Sequence, residues 1–183
     1  MEITQLGTHM EIRPLELRDS DALRRFFGRV PEADRTFFKE DVDDPGVIAA
    51  WMVPGPARTV ATIDDEIIGW LSVVPLHGWS NHVGEVRLIV DPEHRGRGIG
   101  RSLAQRAIVE ALGLGLKKLV VEVIAVQTET IDMFRSLGFD PEALLVDHVR
   151  DRGGQLRDLM VLSQTVDDQW SSMIATGVVV DDV

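Results

Sequence analysis

The segment Val86-Arg-Leu-Ile-Val-Asp-Pro-Glu-His-Arg-Gly-Arg-Gly-Ile-Gly-Arg-Ser102 reads strand, turn, helix, and the rest of the chain is arranged around it. Val86, Leu88 and Val90 alternate with Arg87 and Ile89 at strand spacing, and Asp91-Pro92 ends the run because proline cannot donate to a ladder. Gly96, Gly98 and Gly100 then remove Cβ atoms at alternate positions, so that successive backbone N–H groups can converge on an anion where the next helix begins. Arg95, Arg97, Arg101 and Arg106 cluster around this turn in a chain whose formal net charge is -11. Arginine beside a positive helix terminus is unfavourable unless an anion lies between them, so the pattern points to a phosphate-bearing ligand rather than a solvated helix start.

Two common nucleotide motifs fit poorly. A Walker A loop needs Gly-Lys-Ser/Thr, and no lysine stands here; the dinucleotide fingerprint needs G-x-G-x-x-G directly after a strand, whereas here Gly96-x-Gly98-x-Gly100 follows a proline turn.

The segment instead resembles motif A of the GCN5-related N-acetyltransferase (GNAT) superfamily, whose Arg/Gln-x-x-Gly-x-Gly/Ala is met by Arg95-Gly96-Arg97-Gly98-Ile99-Gly100 after Leu88-Ile89-Val90-Asp91-Pro92. The resemblance implies that the amides around Arg95, Gly96, Arg97, Gly98, Ile99, Gly100 and Arg101 bind the pyrophosphate of acetyl-CoA, a co-substrate, with no metal. It also implies that Leu88, Ile89 and Val90 offer backbone groups to the pantetheine arm. It extends over Met10 to Val166 and is strongest from Gly84 to Phe139.

With 183 residues and 44% hydrophobic content the chain suffices for one well-buried domain. Residues 10–166 are expected to form it, with 1–9 an added leader and Asp167 to Val183 an accessory tail that covers an edge or a partner subunit; a homodimer stays open. No apolar run is long enough to span a membrane and the start lacks a basic-then-apolar signal, which makes the cytoplasm the expected compartment. The acidic balance argues against general nucleic-acid binding and suits a cationic substrate. Absent cysteine excludes disulfides, thiolate metal sites and a cysteine-linked acyl intermediate.

Ile12 to Leu17 reads as a strand, after which Asp19 caps a helix carrying Leu23, Phe26, Phe27 and Val30. Glu32 to Val42 reads as a second helix, Asp44-Pro45 opens a third through Val47, Ile48 and Trp51, and Pro54-Gly55-Pro56 ends this insert. Thr59 to Ile63 and Ile67 to Val74 form a hairpin across Asp64-Asp65-Glu66, with Gly69 marking a bulge. After Ile99 to Leu114, a helix closed by Gly113 and Gly115, Leu119 to Ala125 reads as a central strand buried on both faces. Thr128 to Leu137 is a helix ended by Gly138-Phe139, and Leu144 to Val149 pairs with Leu156 to Leu162 across Asp151-Arg152-Gly153-Gly154. The order implies an α/β fold, and the resemblance makes it a single mixed, mostly antiparallel sheet with helices on both faces.

The resemblance implies an acyl-CoA-dependent N-acyltransferase that moves an acetyl group to a primary amine, on a small molecule or a protein, by direct attack. Glu85 stands where many relatives carry the carboxylate that receives the amine proton; the plainer alternative is a strand-end charge paired with Arg87. His77, His82 and His148 titrate in the useful range and are further candidates. Relatives often carry an asparagine near Thr128 and a tyrosine at Phe134. Thr128 keeps a hydroxyl that either holds the pantetheine or caps its helix, whereas Phe134 cannot donate a proton and the chain contains no tyrosine. A catalytically weak or inactive acetyl-CoA-binding sensor is therefore the alternative function. On the acceptor side, Glu32, Asp34, Glu40, Asp41 and Asp43 either attract an amine or are solvated helix charges, and Trp79 either binds a cation or packs on the surface.

Overall fold

A computed structural model describes residues 10–35, 38–53, 55 and 57–166; the expected leader and tail lie outside these residues, as do Pro54 and Pro56 of the expected helix breaker. The elements are β1 (Met10–Pro14), α1 (Ser20–Arg29), α2 (Glu32–Arg35), α3 (Pro45–Trp51), β2 (Ala57–Ile63), β3 (Glu66–Pro75), β4 (Val83–Val90), α4 (Ile99–Gly113), β5 (Lys118–Ile124), α5 (Thr128–Ser136), β6 (Asp140–Arg150) and β7 (Leu156–Thr165). The strands form one seven-stranded sheet in the order β1-β2-β3-β4-β5-β7-β6. All neighbours are antiparallel except β4 and β5, whose parallel pairing requires the crossover that α4 supplies.

Alternation along the strands sends apolar side chains to both faces, and a helix layer covers each. On one face Leu71, Val73, Val86 and Val90 pack with Leu103, Ala104, Ala107 and Ile108 of α4 and with Phe134 and Phe139. On the other, Val60, Ile67, Trp70 and Ile89 meet Leu23, Phe26 and Phe27 of α1 and Ile48 and Trp51 of α3. Trp51 stacks on Trp70 with ring centroids 4.7 Å apart. The expected mixed, mostly antiparallel sheet with helices on both faces is therefore what the chain forms.

Turn chemistry sets several boundaries. Asp64 and Asp65 take φ of 49° and 63°, the left-handed pair of a two-residue hairpin turn. Asp44 accepts from the Gly46 N–H at 2.8 Å with Pro45 in the first helical position, as the sequence reading expects. Helix α5 closes in a Schellman arrangement: the N–H of Phe139 reaches Phe134 O at 3.1 Å and that of Gly138, at φ 88°, reaches Arg135 O at 3.0 Å. The Phe134 and Phe139 rings, 5.1 Å apart edge to face, supply its hydrophobic contact.

Other expectations are corrected. The first strand stops at Pro14 rather than running to Leu17. Asp19 stands at the N-cap of α1 but caps nothing there; its carboxylate turns back to Arg13 and to the Glu16 N–H. The second helix is one turn, Glu32–Arg35, not Glu32 to Val42. Ile68, not Gly69, is the extra residue of the bulge, because Ala61 pairs with Gly69 and Thr62 with Ile67. Gly69 serves the packing of α4: a Cβ there would lie 2.9 Å from Leu103 Cδ1. Strand β5 is central but not buried on both faces, since Glu122 is exposed. Glu122 lines the cavity described next.

Candidate active site

The ladder between β4 and β5 runs from Val83 opposite Lys118 to Val86 opposite Val121 and ends there, although β4 continues to Val90 and β5 to Ile124. Each strand keeps its outer neighbour to the end: Gly69 pairs with Val90, and Ile124 with Leu159. The sheet thus parts in its middle, leaving the facing edges from Arg87 and Glu122 onward without ladder partners. A cavity of 1160 Å³ fills the parting, with Leu88, Ile89 and Val90 on one wall and Val123, Ile124 and Phe134 on the other.

One end of the cavity is the glycine turn. Gly96 and Gly98 take φ of 73° and 82°, which only glycine adopts without strain, and Gly98 is the N-cap of α4. An added Cβ at either would have no protein atom within 4 Å, so the space before the turn is open to a ligand. Gly100 is ordinary helix, its place for a Cβ 3.4 Å from Met133 Sδ. The first-turn N–H groups of α4 have no partner within their own helix and aim their positive dipole end into this space.

The four arginines do different things. Arg101 lines the cavity and donates to Ser136 Oγ at 2.7 Å. Arg97 is exposed. Arg95 staples the turn, giving Nε to Val90 O at 3.2 Å and Nη2 to Asp34 Oδ2 at 2.6 Å. Arg106 is no part of the cluster, because it pairs with Glu110 at 2.7 Å one turn along the helix. Buried Asp91 anchors the turn from below, accepting from the Glu93 N–H at 3.0 Å and from Arg29 Nε at 3.1 Å.

At the opposite end a chain of alternating charge crosses the parting. Glu85, 8% exposed, takes two parallel hydrogen bonds from Arg87, Nε to Oε1 at 3.0 Å and Nη2 to Oε2 at 3.1 Å. Arg87 also donates to Glu40. Lys39 Nζ sits 2.7 Å from Glu85 Oε1 and 2.9 Å from Glu122 Oε2, which joins β4 to β5 past the end of their ladder. Burial alone would raise the Glu85 carboxyl, but the hydrogen bonds from Arg87 and Lys39 outweigh it and hold its pKa below the ordinary value. Burial would likewise lower Lys39, and its two carboxylate partners raise it instead.

Of the residues singled out from sequence, Glu85, Leu88, Ile89, Val90, Arg95, Gly96, Gly98, Ile99, Gly100, Arg101, Thr128 and Phe134 line this one cavity. Its described wall does not include Arg97, His77, His82 or His148. Thr128 is the first residue of α5 and Gln127 its N-cap, so the capping alternative for Thr128 does not hold. The acidic residues of the insert are largely committed to arginines, Asp34 to Arg95, Glu40 to Arg87 and Asp43 to Arg35 and Arg152. Trp79 is 95% exposed and packs on nothing. Lys39 and Glu122 were not anticipated; the only sequence signal for Glu122 was a carboxylate inside an otherwise apolar strand. Among the described residues no group of three His, Asp or Glu could hold a metal ion, and no helix is long and apolar enough to cross a membrane.

Comparison with known proteins converges on one family. The Acetyltransferase (GNAT) family profile matches residues 19–139. The uncharacterized N-acetyltransferase YjgM of Escherichia coli (strain K12) is 27% identical over 135 residues, 70% of this chain and 81% of that protein. A mycothiol acetyltransferase of Kocuria rhizophila is 33% identical over 141 residues, 72% of this chain but only 46% of that protein. Among solved structures, yncA from Salmonella typhimurium with its cofactor acetyl-CoA aligns with a TM-score of 0.72 at 22% identity, covering 87% of this chain and 95% of that one.

Proposed function

The chain belongs to the acetyltransferase (GNAT) family and is an N-acetyltransferase with acetyl-CoA as co-substrate, and from that premise we propose a direct transfer to a primary amine within the parting of β4 and β5. The observation that carries this reading is the meeting, in one cavity, of the Gly96–Gly98 turn at the head of α4 with the Glu85–Lys39–Glu122 cluster. The residues present fit the co-substrate, because the positive-φ glycines leave open space for phosphate and the unpaired edge of β4 faces the cavity.

In this reading the amides of Gly96 to Arg101 hold the pyrophosphate, aided by the Arg101 side chain and, from the rim, by Arg97. The backbone of Leu88 to Val90 orients the pantetheine arm, and Thr128 lines the opposite wall. Acetyl-CoA supplies an activated acyl carbon and a thiol leaving group. Developing negative charge on the acyl oxygen is stabilised by N–H groups of the unpaired β4 edge.

The acceptor enters on the side of the acidic cluster. Glu85, kept ionised by Arg87, draws the acceptor's ammonium towards the cavity and receives its proton through water, since a lowered pKa makes it a modest direct base. Acceptors of either kind, a small amine or a protein amine, fit this chemistry. Residues 10–166 constitute the catalytic unit and 167–183 an accessory tail.

A second reading, a catalytically weak acetyl-CoA-binding sensor, is favoured by two observations. Phe134 offers no proton, and Glu85 is already engaged by two cations. Calorimetric titration with acetyl-CoA tests the binding reading, and release of CoA across a panel of amines separates enzyme from sensor. Binding without release for any amine would overturn the transferase mechanism.

A further inference from the structure

Lysine is sparse in this chain: three residues, Lys39, Lys117 and Lys118, against sixteen arginines. One of the three lines the cavity. Lys39 follows the single turn of α2 and crosses the acceptor side, its side chain 46% exposed and so not locked by packing. Its ammonium, 2.7 Å from Glu85 and 2.9 Å from Glu122, makes with Glu85 the contact that the proposed function assigns to an incoming protonated amine. The chain therefore holds an alkylammonium of its own where its acceptor is to enter.

We propose that Lys39 is an acetyl acceptor of its own chain, a self-modification site on the acceptor side of the cavity; the proposal rests on the acetyl-CoA reading above. The ammonium first loses a proton to water or Glu85. The neutral Nζ then forms a C–N bond to the acetyl carbonyl carbon of acetyl-CoA and the C–S bond breaks. Its electron pair leaves on the CoA sulfur, which is protonated to the thiol, and the amide nitrogen loses its remaining extra proton. The products are Nε-acetyl-Lys39, CoA and one net proton, with no oxidant or further co-reactant.

The modification also changes the site. An acetylated Lys39 carries no charge, so Glu85 and Glu122 lose the cation they share and present two carboxylates to the cavity with Arg87 as the adjoining counter-charge. The side chain that occupies the acceptor position is converted into one that leaves it. Because Glu85 and Glu122 hold Lys39 protonated beyond the ordinary lysine range, reaction is slow at neutral pH and accelerates as the pH rises.

The test uses the full chain incubated with acetyl-CoA and no added amine, with peptide mapping by mass spectrometry over time and parallel calorimetry of acetyl-CoA binding. Lys117 and Lys118 are internal references for uncatalysed acetylation, because they stand at the head of β5, the end of the β4–β5 ladder away from the parting. Lys39 is expected to label at least about tenfold faster than either, a modest demand on an amine held beside the bound acyl group. Excess CoA should abolish that advantage without changing Lys118, and Lys39→Arg should leave no fast-labelled site. Acetyl-CoA binding with Lys39 labelled no faster than Lys117 and Lys118 overturns the inference alone. A Lys39 advantage that CoA does not suppress also overturns it, showing mere chemical reactivity. Absence of acetyl-CoA binding, with equal labelling, overturns both the inference and the reading beneath it.

Discussion

Val86 and Val121 form the last rung of the parallel ladder, and the two strands separate immediately beyond them. Every feature assigned to the co-substrate lies past that rung: the unpaired edge of β4, the glycine turn that follows Asp91, and the start of α5 on the far side. The glycine turn is fixed to its own strand by Arg95 and Asp91, and at the other end the bridge from Lys39 to Glu85 and Glu122 ties β4 to β5 beyond their ladder.

The turn gives the first prediction. Gly98→Glu places a side chain at φ 82° and a carboxylate in the open space before the amides, so calorimetry should detect no acetyl-CoA binding. Arg101→Ala should weaken binding by roughly tenfold or more, as expected for a charge-assisted contact worth about 1.5 to 3 kcal/mol. Arg97→Ala, exposed and outside the cavity wall, should cost less than about tenfold. Unchanged affinity in all three variants would move the phosphate site elsewhere.

Packing beneath the ladder gives the second. A Cβ at Gly84 would lie 2.5 Å from Leu116 Cδ1, 3.1 Å from Val73 Cγ1 and 3.2 Å from Leu119 Cδ2, all buried. Gly84→Ala should therefore destabilise the fold by about 1 to 3 kcal/mol through overpacking and lower the melting temperature by several degrees. A variant that melts with the wild type would show that β4 and β5 can shift apart at no cost.

The third concerns acid stability. Asp19 is buried and takes a bidentate contact from Arg13, at 2.7 and 2.8 Å, together with the Glu16 N–H. The hydrogen bonds from Arg13 hold its carboxyl below the usual range against the opposing effect of burial. A depressed carboxylate stabilises the fold fully above its unfolded-state pKa and loses that contribution as pH falls through the folded value. Asp19→Asn should thus be destabilised relative to wild type near pH 7, with the gap constant down to about pH 5 and closing below about pH 4 in denaturant titrations. A gap that widens on acidification would contradict the assignment.

How far sequence reached is visible in particular residues. Strand β4, its glycine turn and α4 were legible because a period of two, a proline stop and a period near four follow one another within a short span, each with a local cause. The Schellman end of α5 was legible for the same reason, since Gly138 and Phe139 stand at fixed offsets from Phe134. The Lys39–Glu85–Glu122 bridge was not, because it joins an irregular segment to two strands distant in the chain, and no local pattern encodes such a meeting. Glu32 to Val42 was overread as helix because polar residues carry little information about period once tertiary ion pairs, here to Arg87, Arg95 and Arg152, decide their places. Val166, the last described residue, is buried in the core and its N–H reaches Lys117 O at 3.0 Å.

The fourth prediction concerns proton transfer. An acceptor with an ordinary amine pKa arrives protonated near neutrality, whereas a thiolate leaves readily without an acid, so losing the proton is the demanding step and the missing tyrosine at Phe134 costs little. Glu85→Gln should lower kcat/KM for an amine acceptor about a hundredfold, within the ~10² to 10⁴ range of general-base catalysis. Because Arg87 and Lys39 keep Glu85 ionised to below the ordinary carboxylate range, its titration should leave no limb in the pH–rate profile between about pH 5 and 8. The wild-type rate should simply rise with pH as the free amine accumulates. Phe134→Tyr should change the rate less than about tenfold while lowering stability, since position 134 is 1% exposed and its new hydroxyl must find a partner within a packed wall. A wild-type rate and profile in Glu85→Gln would place the proton acceptor elsewhere. A gain of orders of magnitude in Phe134→Tyr would instead mean that thiolate protonation limits turnover, and would favour the sensor reading of the natural sequence.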